Sequence, residues 1–453
     1  MSNVPVTARL ASFCRAIRYE DLPPEAIEAA RQTLLDWLGV AIAGASEPLA
    51  VMLREEALAE GGNARATLIG SGGRVSLRQA ALVNGAASHA LDYDDVNLAM
   101  NGHPSVPIWP ALLALAESRG SSGRDVLAAF VAGYEMECRI GWLVMPSHYS
   151  TGFHATGTLG TFGAAAACAH LLGLDQEQWQ RGMGIAGAQA AGLKSMFGTM
   201  CKPLHAGKAA ENGLFAALMA QRGFTSNPEV LETAQGFAAT QASEAIVERA
   251  LQGLGDHYAV SDTLFKYHAA CYGTHETIEG VLRLKQANGL QPGDVDGIDL
   301  VVPQSHLAMC NIPAPVTGLE GKFSLRFTAA LALVDGETGD AAFTDDRVSQ
   351  PRLTAMRDRV TVTPQAGDWA RGTEVTLRTT DGRRFSQQVN LNIPASDLAL
   401  QRERLEAKFR ALAGPAVGGS AAEQLVVGIR QFEAAPSVDA ILAATVAAPA
   451  GIA

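Results

Sequence analysis

The chain is poor in cysteine, with Cys14, Cys138, Cys168, Cys201, Cys271 and Cys310 its only six in 453 residues, and no two stand in C-x-x-C spacing. Neither a zinc site nor a disulfide framework is expected, and reduced thiols fit a cytoplasm. Positive charge is also short. Lys and Arg number 35 against 46 Asp and Glu, a net charge of −11, which argues against nucleic acid or an anionic membrane as a partner. Any anionic ligand must therefore find a local basic site. Residues 1–21 hold no sustained apolar run, because Arg9, Arg15 and Arg18 interrupt it, so no secretory leader is expected. The most apolar stretch, Thr156 to Gly173, has the length of a membrane span. It is built from Gly, Ala and Thr and carries His170, and it reads as a buried helix.

Pro23-Pro24 ahead of EAIEAARQTLLDWLG is a helix start, with Ile27, Ala30, Leu34 and Leu38 on one stripe. Residues 78–91, 107–119, 124–143, 156–173, 175–192, 207–222 and 242–253 repeat the pattern: Ala-rich, helix-length and bounded by Gly, Pro or polar caps. Within them Gly157, Gly160 and Gly163 suit close helix packing better than a phosphate loop, since no strand precedes them. After about residue 290 the period changes to two, in VDGIDLVVP, RVTVT from Arg359 and EVTLR from Glu374, with Asp381-Gly382 as a hairpin turn. Lys322 to Val334 again reads as a helix. The expected fold is mainly α: an all-helical domain over 1–265, a smaller α+β domain over 266–397, and a helical segment over 398–453 returning to the first domain.

Two clusters carry chemistry. His89-Ala-Leu-Asp-Tyr-Asp-Asp-Val, running on to Gly102-His103-Pro104-Ser105, places two imidazoles and the carboxylates of Asp92, Asp94 and Asp95 around a loop, with at least one carboxylate expected to turn inward. His89 itself reads as a packing residue. The second cluster, Lys194 to Lys208, lies in a stretch from Gln178 to Ala210 without one acidic side chain, and Gly198, Pro203 and Gly207 place Lys202 and His205 on a loop. Such a basic island suits a small substrate with several carboxylates. His154 and His275 each sit before a helix, where an imidazole can take or give a proton. A metal site is the competing reading of the Asp and His residues, but no H-E-x-x-H, paired Cys or second Asp-rich half completes one. A G-x-S-x-G elbow is missing too.

Taken in order, LPPEAIEAARQTLLDWLGVAIAG, AALVNGAASHALDYDDVN, GHPSVPIWPALLALAE, HATGTLGTFGAAAACAHLLGLD, CKPLHAGKAAENGLFAALMA and EGKFSLRFTAALAL resemble the MmgE/PrpD family. That family includes 2-methylcitrate dehydratase, cis-aconitate decarboxylase and iminodisuccinate epimerase. The resemblance implies a homodimer with a large helical domain and a smaller α+β lid, and active-site roles for Asp92, His103, His154, Lys202 and His275. It also implies small di- or tricarboxylate substrates and no metal, iron–sulfur cluster or other cofactor. Departures are Val96 in place of a hydroxyl residue, Lys208 in place of Asn or Ser, and Phe327 in place of a tyrosine.

The function expected is removal of water from a 2-methylcitrate-like hydroxy acid by proton abstraction next to a carboxylate. Lys202, with Lys208, His205 and Arg326 as further substrate contacts, would clamp carboxylates. Among His103, His154 and His275 one would act as base and another as acid, with Asp92 orienting a histidine. Alternatives are an epimerase or racemase of an amino- or iminodicarboxylate, a cis-aconitate-type decarboxylase, and, from another class, a silent metabolite-binding protein. Trp109 and Trp142 are expected on a dimer face.

Overall fold

The computed structural model describes residues 4–365 and 372–446, so the end of the expected C-terminal segment, 447–453, lies outside the described residues. Two compact units divide the chain: Met1–Phe265 with Ala395–Ala453, and Lys266–Pro394.

The first unit begins with α1 (Val6–Ala16), α2 (Pro24–Gly44) and α3 (Pro48–Glu60), followed by a two-stranded ribbon, β1 (Ala66–Thr67) and β2 (Arg74–Val75). It continues through α4 (Leu77–His89), α5 (Ser105–Arg119), α6 (Gly123–Val144), α7 (Ser147–Thr151), α8 (Ala155–Leu171), α9 (Gln176–Gly187), α10 (Cys201–Gln221), α11 (Phe237–Gln241) and α12 (Val247–Leu251). Local chemistry explains many of the starts. Pro24 occupies the first turn of α2, Ser76 and Gln79 form a reciprocal cap on α4, and Asp175 with Gln178 does the same for α9. The ribbon corrects the expectation of helices alone, and the single helix expected over 242–253 is only the short α12, preceded by α11.

Helix α8 is the centre of this unit. Every residue from Ala155 to Ala169 is buried, and α5, α6 and α10 pack around it. Its glycines serve contact: a Cβ on Gly157 would lie 2.4 Å from the Ala191 carbonyl oxygen, on Gly160 2.5 Å from Pro107 Cγ, and on Gly163 2.4 Å from Glu137 Oε2. Glu137 is fully buried at that contact, and burial reinforced by Asp95 pushes its carboxyl well above the usual carboxylate range. Among the described residues no single helix is long and apolar enough to cross a membrane.

Helices α4 and α10 cross through a glycine pair. A Cβ on Gly207 would lie 2.3 Å from the Leu82 carbonyl oxygen, and one on Gly85 2.9 Å from Gly207 Cα. Backbone cannot yield there as a side-chain tip can. Gly207→Ala is therefore expected to force the two helices apart, at a cost of about 1–3 kcal/mol and with loss of activity, read by urea denaturation and turnover. Unchanged stability would show that the crossing is slack.

The second unit comprises α13 (Tyr272–Ala287), β3 (Val295–Pro303), α14 (Gln304–Cys310), α15 (Gly318–Gly321), α16 (Leu325–Val334), α17 (Asp345–Val348), α18 (Pro351–Arg357), β4 (Val360–Gln365), β5 (Thr373–Thr379) and β6 (Arg384–Val389). Its sheet runs β4-β3-β5-β6. β3 and β4 are parallel, with Ile298 opposite Val360, while β5 is antiparallel to β3 and β6. A parallel pair needs a long crossover, here supplied by α14 to α18. Asp381 and Gly382 make the β5–β6 turn, Gly382 at φ +88°.

The chain then re-enters the first unit as α19 (Leu398–Val417), α20 (Gly419–Arg430) and α21 (Asp439–Ala444). Helix α19 packs along α2. There Lys408 is buried, 2.6 Å from Asp36 of α2 and 2.6 Å from the Tyr93 carbonyl, with its ammonium 4.0 Å above the Tyr93 ring. Trp109 corrects the dimer-face expectation: it is fully buried, stacked on Phe130 at 4.0 Å and bonded to Thr33 Oγ1.

Candidate active site

The segment after α4 reverses at Asp92, which takes the left-handed conformation with φ +53°. Asp is among the few residues that tolerate this region. The turn presents the Asp92 carboxylate to Lys202 Nζ at 2.6 Å, and drives the next two carboxylates inward, Asp94 and Asp95 each being 1 % exposed. Two of the three aspartates are thus buried, in keeping with the expectation of at least one.

Asp94 holds two imidazoles. His89 Nδ1 and His103 Nδ1 both lie 2.9 Å from Asp94 Oδ2. His103 Nδ1 is also 2.8 Å from the Asp95 carbonyl oxygen. A carbonyl can only accept, so His103 must carry its proton on Nδ1, which leaves Nε2 with a lone pair when the ring is neutral. Burial alone would raise Asp94, but the His103 and His89 rings outweigh it and hold the carboxyl well below the usual carboxylate range. Asp95 behaves in the opposite way: burial pushes it well above that range despite a 2.5 Å bond from Ser105 Oγ. Asp92, expected to orient a histidine, is bonded to Lys202, and it is Asp94 that stands against the imidazoles.

His89 also departs from its expected packing role, because it stands inside the cluster. Its ring centroid is 4.7 Å from that of His103 and 5.8 Å from that of His154, and its Nε2 is buried without a hydrogen-bond partner among the described residues. Burial pushes His89 down to about 4 against the pull of Asp94. The unfolded ring takes up its proton near ~6.5. Its contribution to stability is thus complete above that pH and is lost as the pH falls toward 4. His89→Gln is expected to flatten the stability curve across this window by ~1.4 kcal/mol per pH unit, measured by denaturation at several pH values. An unchanged slope would contradict a neutral buried imidazole.

Lys202 and His205 are not on a loop. Helix α10 starts at Cys201, so both lie in its first turns, and Pro203 fits there because first-turn amides have no helical acceptor to lose. Phe197 packs edge-on to His154 at 5.0 Å and lies 5.6 Å from the Lys202 ammonium. His154 precedes α8 as its cap residue, as expected, and its Nδ1 is 2.9 Å from His205 Nδ1. Burial, aided by the Lys202 ammonium and by the neighbouring His89 and His103 rings, pushes His154 well below the usual imidazole range. Lys208 is turned elsewhere: it is half exposed and paired with Glu211, which also binds Arg78.

His275 and Arg326 belong to the second unit. His275 lies within the first turns of α13 instead of before it; Gly273 permits this because Cys310 Sγ would be 2.9 Å from a Cβ there. Its Nε2 donates to the Ala270 carbonyl at 3.1 Å. Arg326 donates to Asn311 Oδ1 at 2.7 Å. Phe327 is fully buried, its ring 6.2 Å from that of Phe343.

His89, Asp92, Asp94 and His103 offer nitrogen and oxygen atoms all within 4.8 Å of one another, compact enough to hold a cation. In this arrangement the Lys202 ammonium lies against Asp92, and ring N–H groups point at Asp94. The donor set is thus already matched with positive charge from the chain. The arrangement can support proton transfer: a buried carboxylate holds two imidazoles, of which His103 reaches partly exposed space, as does the Lys202 ammonium. His103, Lys202 and Asp92 keep 14 %, 13 % and 19 % of their side chains exposed.

Residues 8–249 match the MmgE/PrpD N-terminal domain and residues 268–433 the MmgE/PrpD C-terminal domain, and the chain belongs to the MmgE/PrpD family. Among curated relatives it is 26 % identical to cis-aconitate decarboxylase of Homo sapiens, over 94 % of this chain and 92 % of that protein. It is 27 % identical to the Mus musculus protein of the same name, over 94 % and 91 %. To that of Aspergillus terreus it is 26 % identical, over 93 % and 91 %.

Proposed function

We propose that this protein is a lyase acting on a small polycarboxylate without a cofactor, and that it removes water from a 2-methylcitrate-like hydroxy acid. The observation that carries the reading is His103. Its Nδ1–H is held by Asp94 and the Asp95 carbonyl, so its Nε2 is a base aimed at proton abstraction, and Asp94 stabilises the imidazolium that forms. Lys202 binds a substrate carboxylate and stabilises negative charge developing on the adjacent carbon. Asp92 keeps that ammonium in place until substrate arrives. His154 serves as the acid assisting hydroxide departure. His275, Arg326, His205 and Lys208 remain proposed further contacts, the last with the least support because Glu211 engages it.

A second reading, decarboxylation of a cis-aconitate-like acid, is favoured by the names of the relatives. It requires a proton donor to carbon, whereas the fixed lone pair on His103 favours abstraction. The experiment is proton NMR in D2O with 2-methylcitrate, citrate, cis-aconitate and aspartate-derived acids, beside a His103→Ala control. Loss of the hydroxy acid with a new vinyl resonance from citrate, or with the methyl doublet of 2-methylcitrate replaced by an alkene methyl singlet, supports dehydration. Consumption of cis-aconitate with loss of one carboxylate replaces it with decarboxylation, and α-deuteration without loss of groups replaces it with epimerisation. Silence across the panel overturns the lyase reading in favour of a binding protein. We further propose a homodimer in solution; a strict monomer at micromolar concentration by light scattering would contradict it.

A further inference from the structure

The contact between His154 Nδ1 and His205 Nδ1, 2.9 Å apart, joins two like atoms. Two N–H groups would repel there, and so would two lone pairs, so the contact holds one proton between the rings. Burial keeps both imidazoles below their ordinary range, Lys202 adding to the effect on each, and His89 and His103 on His154. Each ring is then neutral, and the tautomer of one dictates that of the other. When His205 donates, His154 must carry its proton on Nε2 and becomes a donor. When His154 donates, its Nε2 is a lone pair. Neither ring has another protein hydrogen-bond partner at Nε2 among the described residues. His154 is 2 % exposed, while His205, on the first turns of α10, is half-buried.

A buried imidazole that resists protonation is a poor acid by itself, because donating from the neutral ring would leave an imidazolate. We infer that His205 is a relay residue: it supplies His154 with a proton through the Nδ1···Nδ1 bond as His154 gives up its own from Nε2. The step balances within the pair. The His154 Nε2–H bond breaks as the proton passes to the departing hydroxyl oxygen, which leaves as water. The His205 Nδ1–H bond breaks as an N–H bond forms at His154 Nδ1, and solvent restores a proton at His205 Nε2. Both rings end neutral, in the opposite tautomers, and return through solvent exchange before the next turnover. His205 thereby moves from a substrate contact to a group acting through His154. The inference rests on the lyase reading above.

Two variants and one spectrum test it. His205→Asn keeps a donor near the Nδ1 position but cannot be reprotonated, and His205→Ala opens space for a small base. Both are expected to lower kcat about 100-fold with KM changed only a few-fold, and added imidazole is expected to restore part of the kcat of His205→Ala. Rescue of this kind would not follow from a packing role. In the wild-type protein labelled with 15N-histidine, a coupling across the Nδ1–H···Nδ1 bond is expected. Wild-type kcat in His205→Asn overturns the relay, as does a lost kcat that imidazole does not restore, or turnover without the coupling. A wild-type protein that turns over none of the panel is a different failure, visible before any variant is made, and sinks the lyase reading itself.

Discussion

Asp94→Asn is expected to lower kcat about 1,000-fold, some 4 kcal/mol of transition-state stabilisation, with KM changed only a few-fold. The carboxylate accepts from His89 and His103 at once, and a carboxamide has one acceptor oxygen and no charge. His103 keeps its tautomer through the Asp95 carbonyl, so the loss falls on the imidazolium that proton abstraction creates, which would then sit beside a neutral amide. Pre-steady-state proton transfer in D2O with a substrate that turns over checks this, beside circular dichroism for the fold. A variant retaining more than a tenth of the turnover would remove Asp94 from the role of orienting carboxylate.

The second large effect is on stability. Lys408 and Asp36 are 4 % and 1 % exposed at the side chain and form an ion pair at 2.6 Å. Removing one partner strands the other charge in the core, at about 3–5 kcal/mol. Lys408→Met is expected to lose that much in urea denaturation, and Lys408→Met with Asp36→Leu to regain most of it. The same lysine bonds the Tyr93 carbonyl, within the segment that carries Asp92 and Asp94. Activity in the double variant is therefore expected to stay low even where stability returns. Full recovery of both would show that α19 braces α2 without positioning the site.

Much of this architecture is readable along the chain because it depends on neighbours in sequence. Prolines at a first turn, Ser76 with Gln79, period-two alternation and the Asp381-Gly382 turn each act over a few residues, and they mark helices and strands near their observed places. α1 and α3 are the helices that local pattern reveals least: arginines interrupt the apolar residues of the first, and the second follows α2 after a break of three residues. Pro203 and Gly207 hide the helix start at Cys201, because both residue types also form loops, although here one suits a first turn and the other a helix crossing. For His89, the spacing to Asp94 was a signal that a turn could bring the two together.

The sequence by itself determined a mainly helical chain with a late β segment, a basic island in an acidic protein, and a family whose motifs run in order. It also supplied the residue types for proton transfer. Only the tertiary structure decided which group faces which. The left-handed turn at Asp92 sends its carboxylate to Lys202, 110 residues away, and leaves Asp94 to the imidazoles. The Gly85–Gly207 crossing brings α10 against α4, and the packing of α10 against α8 puts His205 beside His154. Partnerships of this kind depend on how closely backbones approach across the core, and the spacing of residues along one chain carries no measure of that distance.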